Sequence, residues 1–109
     1  VIRCIKKQIP NAEIHYLTKP AFAQILANNP CIDTIHLLDK PILKKALEEE
    51  AVSLILCHNH PSGSLKPSRA DEELTLKIKE AARFFDIRVL DHVIVSSEGY
   101  FSFADEGIL

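Results

Sequence analysis

The sequence predicts an α/β fold, shading into α+β at its C-terminal end, with a mixed sheet and flanking helices. Three observations predict it. Strand-like and helix-like segments alternate along most of the 109 residues. The run "AVSLILCH", residues 51–58, is continuously β-branched and aliphatic, as in a strand buried on both faces. An amphipathic segment follows from Ser68 to about Phe85, with Leu74, Ile78, Ala81, Ala82 and Phe85 at three–four spacing.

The elements can be justified in order. "VIRCIKKQ" reads as the end of a helix stopped near Pro10. "AEIHYL" reads as a strand in which Ile14 and Tyr16 alternate with His15 and Leu17. Pro20 opens a short helix, "PAFAQILANN", which Asn28, Asn29 and Pro30 close. "IDTIHLL" is a second strand, and Asp39 is placed to cap a helix over "PILKKALEEE". Glu48, Glu49 and Glu50 sit badly at that helix's C-terminus, where the dipole prefers cations, and read as a solvated charge run. Beyond the 51–58 strand, residues 61–67 form a Pro/Ser/Gly/Lys loop. "IRVL", "HVIVS" and "YFSF" read as three closing strands, the last reached through the turn "SEGY".

A chain of this size is one domain with one modest core by length alone. The formal net charge of −2 argues against a broad basic face for nucleic acid, and Lys6–Lys7 is too short a basic pair to provide one. No apolar run approaches the roughly 20 residues of a membrane span, and no signal peptide opens the chain. Cys4, Cys31 and Cys57 form no CxxC pair, which fits a reducing cytoplasm, and Cys57 reads as a small buried hydrophobe. The chain has no methionine, not even at its start, and is expected to be a fragment or a processed product.

Chemistry concentrates in "CHNHPSGSLKPSRAD", Cys57 to Asp71. Residues i and i+2 of a strand share a face, so His58 and His60 can turn their imidazoles toward one point past the strand end. Asp71, in the first turn of the next helix, is a candidate third ligand, and Gly63 lets the loop double back. Three protein ligands are what a catalytic zinc site uses. The competing reading is structural: Ser68-x-x-Asp71 has the form of a helix capping box, worth roughly 1 kcal/mol without any chemistry. The two readings are compatible, since the hydroxyl can accept from a backbone N–H and still have a proton to give.

The spacing H-x-H-x7-S-x2-D resembles the JAMM (MPN+) metalloprotease signature. The wider text "HNHPSGSLKPSRADEELTLKIKEAARFFDIRVLDHVIVSSEGYFSFADEGIL" is similar to the C-terminal part of RadC family proteins, over about residues 41–109. The resemblance implies that His58, His60 and Asp71 ligate zinc (Zn2+), and that Ser68 is catalytic, steadying the oxyanion of a tetrahedral intermediate. It implies hydrolysis of an amide or isopeptide bond in a peptide or protein substrate. Asp91 and His92 match the family text too. They read as a tethered carboxylate and a satisfied histidine, with a place behind the ligands as the alternative.

The JAMM pattern also needs a glutamate on an earlier strand as general base. The half of the domain that carries it is not recognisable here. Residues 1–40 instead resemble a Rossmann-like stretch of bacterial heptosyltransferases, with a join near Asp39 to Pro41. Glu13, 45 positions before His58, is a weak candidate base and reads better as an exposed strand-end residue. His15 and His36 read as ordinary strand residues. The expected function is thus a JAMM-type zinc hydrolase, impaired if the base is lost. The alternatives are a non-catalytic adaptor, given the historical association of RadC proteins with DNA repair, and a fusion without function. The strands at 12–17 and 32–38 could substitute for lost sheet partners of the buried strand 52–57. A poor match would leave apolar edges exposed and favour homo-oligomers.

Overall fold

The computed structural model describes residues 2–37 and 41–109. The predicted cap at Asp39 lies outside them, as does most of the proposed join. The chain divides into two compact units, Val1–Ile42 and Leu43–Leu109.

Unit 1 contains α1 (Ile2–Gln8), β1 (His15–Thr18), α2 (Pro20–Leu26) and β2 (Thr34–Leu37). Pro20 does open α2, where its missing N–H costs nothing. β1 and β2 pair in parallel, with Leu17 opposite His36. Lys6 Nζ reaches both the Ala12 carbonyl, at 2.6 Å, and Asp33, at 2.7 Å. β1 starts two residues after Glu13, so that glutamate is not on the strand. Among the described residues, β1 and β2 make up a two-stranded sheet.

Unit 2 contains all but the first residue of α3 (Ile42–Glu48), with β3 (Ser53–Asn59), α4 (Arg69–Arg83), β4 (Arg88–Val95) and β5 (Tyr100–Ser102). Its sheet has the order β3-β4-β5. β3 runs parallel to β4, the pairing that a helical crossover such as α4 permits, and β4–β5 is an antiparallel hairpin. The mixed α/β architecture is the predicted one. Its strands differ in two respects. "IRVL" and "HVIVS" are one continuous β4, because Asp91 lies inside the ladder at a register shift opposite Leu54/Ile55 and does not end it. β3 is an edge strand in which only Leu56 is buried, and Cys57 is exposed. A continuous apolar run cannot distinguish an edge from a central position.

The helices close on the core through their C-termini. Glu50 and Asp86 adopt left-handed conformations (φ 52° and 56°). Past α3, Ala51 N–H bonds Ala46 O at 2.9 Å and Glu50 N–H bonds Leu47 O at 3.1 Å. Past α4, Ile87 N–H bonds Ala82 O at 3.1 Å and Asp86 N–H bonds Arg83 O at 3.2 Å. Both are Schellman motifs, and their apolar ends meet: Ala46, Ala82 and Ile87 form the core cluster, with Ala51 packed on it. On α4 the buried positions are Thr75 and Ala82, while Leu74 and Phe85 are half exposed, so the predicted apolar face is displaced.

Glutamate tolerates the left-handed region less well than aspartate and is misplaced at a helix C-terminus. Glu50→Gly should therefore stabilise the chain by about 0.5–1 kcal/mol, net of glycine's extra unfolded-state entropy. Asp86→Gly should gain less. Urea unfolding of the two variants against the parent measures both.

Candidate metal centre

The period-two geometry of a strand puts His58 and His60 on one side at the C-terminal end of β3, with rings 4.9 Å apart. The loop turns back at Gly63, where φ is +75°. Ser68 then caps α4 with a full capping box: its Oγ accepts from Asp71 N–H, and the Asp71 carboxylate accepts from Ser68 N–H. Capping and convergence occur together. His58 Nε2 lies 3.1 Å from Asp71 Oδ1, His60 Nε2 lies 3.1 Å from Asp71 Oδ2, and the two Nε2 atoms are 3.1 Å apart. Tetrahedral zinc with bonds of 2.0–2.1 Å spaces its ligands about 3.3 Å apart. The donor set is close to that spacing with no further movement.

The hydrogen bonds behind the ligands show why these atoms face inward. His60 Nδ1 is 2.8 Å from the Ser64 carbonyl, which can only accept, so the proton of neutral His60 is on Nδ1 and Nε2 is bare. Asp71 Oδ2 accepts from Ser68 Oγ–H at 2.6 Å and from Ser68 N–H at 2.7 Å, leaving Oδ1 as the free oxygen. His58 Nδ1 is held 2.8 Å from His92 Nε2. His92 Nδ1 in turn lies 2.6 Å from Thr75 Oγ1, which donates to the Asp71 carbonyl at 2.6 Å. Nitrogen and oxygen donor atoms thus converge where a cation would sit, and the groups that orient them are hydrogen-bonded behind. His58, His60 and Asp71 fit a divalent ion of the zinc kind.

Electrostatics agrees with that arrangement. Burial pushes the Asp71 carboxyl up, but the two Ser68 hydrogen bonds, the His58 charge and the His60 contact outweigh it and hold the pKa at about 2. Asp71 is therefore a carboxylate at any ordinary pH. Burial pushes the His92 imidazole down, and charge on His58 adds to this against the opposing pull of Asp71 and Asp91. His92 is only 2% exposed and stacks on Phe103 with ring centroids 4.8 Å apart.

The four residues singled out in this stretch, His58, His60, Ser68 and Asp71, all meet at this point. Ser68 gives its hydroxyl proton to Asp71 Oδ2, so as found it orients the carboxylate. His92 stands directly behind His58. Asp91 does not reach the ligands; it accepts from Ser102 Oγ and Ala104 N–H and ties β4 to the end of β5. Thr75 escaped the sequence reading, since a threonine in a helix carries no motif. Its only signal is a polar residue four places after Asp71, on the same helix face. In unit 1, Glu13 Oε1 lies 2.8 Å from His15 Nε2, and His15 Nδ1 lies 2.8 Å from His36 Nε2.

Comparison with known proteins agrees with this geometry. The family model described as RadC-like JAB domain matches residues 22–108. The match begins upstream of the join read from sequence at residues 39–41. The chain is 54% identical over 67 residues to a UPF0758 protein of Flavobacterium johnsoniae, covering 62% of this chain and 29% of the relative. It is 50% identical over 78 residues to a UPF0758 protein of Nitrosococcus oceani, covering 72% and 35%. The chain thus spans about a third of the length of the curated relatives it matches.

His92 sets a pH limit on the metal-free chain. Its native pKa is lowered, so below about pH 6.5 the unfolded chain takes up a proton that the native state refuses. Its contribution leaves stability level above that pH and lowers it as pH falls, by up to about 1.4 kcal/mol per pH unit for the one proton. Chelator-treated chain unfolded in urea between pH 7.5 and 5 should show this slope, and His92→Gln should flatten it.

Proposed function

The chain belongs to the RadC-like JAB family, and from that premise we propose that unit 2 carries the metal centre of a zinc-dependent hydrolase acting on amide or isopeptide bonds of a peptide or protein. The observation that carries this reading is the convergence of His58 Nε2, His60 Nε2 and the Asp71 carboxylate, each side chain held from behind by a separate hydrogen-bond partner.

Bound zinc would supply a water of pKa around 7 and a Lewis acid for the substrate carbonyl. The residues of the chain do the rest. His58 and His60 present neutral nitrogen, and Asp71 supplies one negative charge, leaving a fourth position for water or substrate. Ser68 is the proposed oxyanion donor. Its Oγ–H would turn from Asp71 Oδ2 to the developing negative charge, while its backbone N–H keeps hold of the carboxylate. A general base is assigned to no residue of unit 2, so turnover by this chain alone is expected to be slow.

We also propose a heptosyltransferase origin for residues 1–40. The division of the chain at Ile42/Leu43 supports it, and the family match from residue 22 weighs against it. A cytoplasmic location is likewise proposed. It is supported by three free cysteines and by the lack, among the described residues, of a helix long and apolar enough to cross a membrane.

Purified chain should hold about one zinc by elemental analysis, and the His58→Ala/His60→Ala double variant should hold none. Equal zinc in that variant would remove the metal reading. Any peptidase or isopeptidase turnover should vanish with a chelator and return with zinc. Ser68→Ala should keep its zinc, lose about 1 kcal/mol of stability with the cap, and lower kcat by roughly 10²–10³.

A further inference from the structure

We propose that Thr75 is a positioning residue for the metal centre: its single hydroxyl proton, given to the Asp71 carbonyl, fixes His92 and through it His58 in the tautomer whose bare Nε2 faces the metal position. The inference rests on the metal reading and deepens it.

Thr75 Oγ1 lies 2.6 Å from the Asp71 carbonyl, one turn back on α4. A carbonyl has no proton, so a contact this short requires Thr75 to donate. The hydroxyl has only one proton, and toward His92 Nδ1, also at 2.6 Å, Oγ1 can then only accept. His92 therefore carries its proton on Nδ1. Its Nε2 is bare and faces His58 Nδ1 at 2.8 Å, so His58 must donate from Nδ1. That leaves the His58 lone pair on Nε2, the atom 3.1 Å from both Asp71 Oδ1 and His60 Nε2.

Among fully neutral rings the circuit has one competitor. With every proton moved along by one place, Thr75 would donate to His92 Nδ1, His92 from Nε2 to His58, and His58 would present an N–H to Asp71. Such a His58 satisfies the carboxylate but cannot bind a metal. The Thr75–Asp71 contact decides between the two, because in the second arrangement two lone pairs would meet at 2.6 Å. Burial enforces the decision. Thr75 and His92 are 3% and 2% exposed, so no solvent is at hand to replace a lost partner. The circuit also joins two ligands: it leaves the backbone of Asp71 and returns at the ring of His58.

The test compares the parent with Thr75→Val, which removes the hydroxyl at similar volume, and Thr75→Ser, which retains it. Long-range proton–nitrogen NMR of the metal-free full chain should find His58 and His92 both protonated on Nδ1. In Thr75→Val the His92 proton should move to Nε2, and zinc affinity, measured by competition with a chromophoric chelator, should fall roughly 10- to 100-fold. Thr75→Ser should restore both, which a purely space-filling role for the side chain does not predict. Parent chain with the His92 proton on Nε2 overturns the inference, and this reading stands even if Thr75→Val fails to fold. So does a folded Thr75→Val with unchanged tautomers and zinc affinity. A parent that shows the stated tautomers but binds no zinc supports the circuit and sinks the metal reading instead.

Discussion

The site depends above all on the two oxygens of the Asp71 carboxylate being used differently. One oxygen belongs to the helix: it takes both donors of Ser68 and so completes the N-cap of α4. The other faces His58 Nε2 at 3.1 Å, while His60 Nε2 approaches the first oxygen at the same distance. Side-chain contacts alone would leave a half-buried carboxylate expensive to hold in place. Here the capping bonds and the positive end of a 15-residue helix offset that cost, and would do so with or without a cation. The ligand is therefore in position before any metal arrives, and little ordering remains to oppose binding.

β3 supplies the other half of the site by a different means. Its strand geometry aligns His58 and His60, but a strand end does not fix the rotation of an imidazole. Each ring is fixed by its rear nitrogen, His60 against the Ser64 carbonyl of the loop and His58 against His92 of the adjacent strand. The parallel pairing of β3 with β4 is what makes the second contact available, since it sets His58 opposite Ile94, two residues beyond His92 and on the same face of β4 as His92. The register shift near Leu54/Ile55 lies between that pairing and the start of both strands, and it also places Asp91 where Ser102 and Ala104 can hold it.

The parts of this arrangement that were legible in the sequence are the local ones. Two histidines at i and i+2, a turn glycine, and a serine three residues before an aspartate have fixed relations within a strand end or a first helical turn. Their convergence could be argued from chain geometry alone. Thr75 and His92 act across 17 residues of chain, and His92 and His58 across 34. Such contacts depend on which strands pair and in what register, which no local pattern encodes. The reading of α4 holds only in part for a related reason. Apolar periodicity points to Ala82, which is buried, but also to Leu74 and Phe85, which are half exposed; the inward face includes Asp71 and Thr75, polar residues that a hydrophobicity scan assigns to solvent. β3 was misjudged as buried on both faces because its apolar run describes the side chains, and an edge is a property of the backbone's neighbours.

Taken together, the hydrogen bonds impose a direction on the site. Protons point away from the centre at His60 and His58, and Asp71 Oδ2 accepts both Ser68 donors from behind. Two imidazole nitrogens and a carboxylate in mutual contact at 3.1 Å repel one another unless something positive lies among them. Only a proton or a metal ion is small enough. A proton bridges one pair at a time and leaves the third group facing a lone pair, whereas a divalent ion satisfies all three. Under the proposed metal reading, the preference for a divalent ion would be set less by the identity of the three residues than by the partners behind them. Exchanging a rear partner for a group of opposite donor character would then leave the same three residues as a hydrogen-bonded cluster.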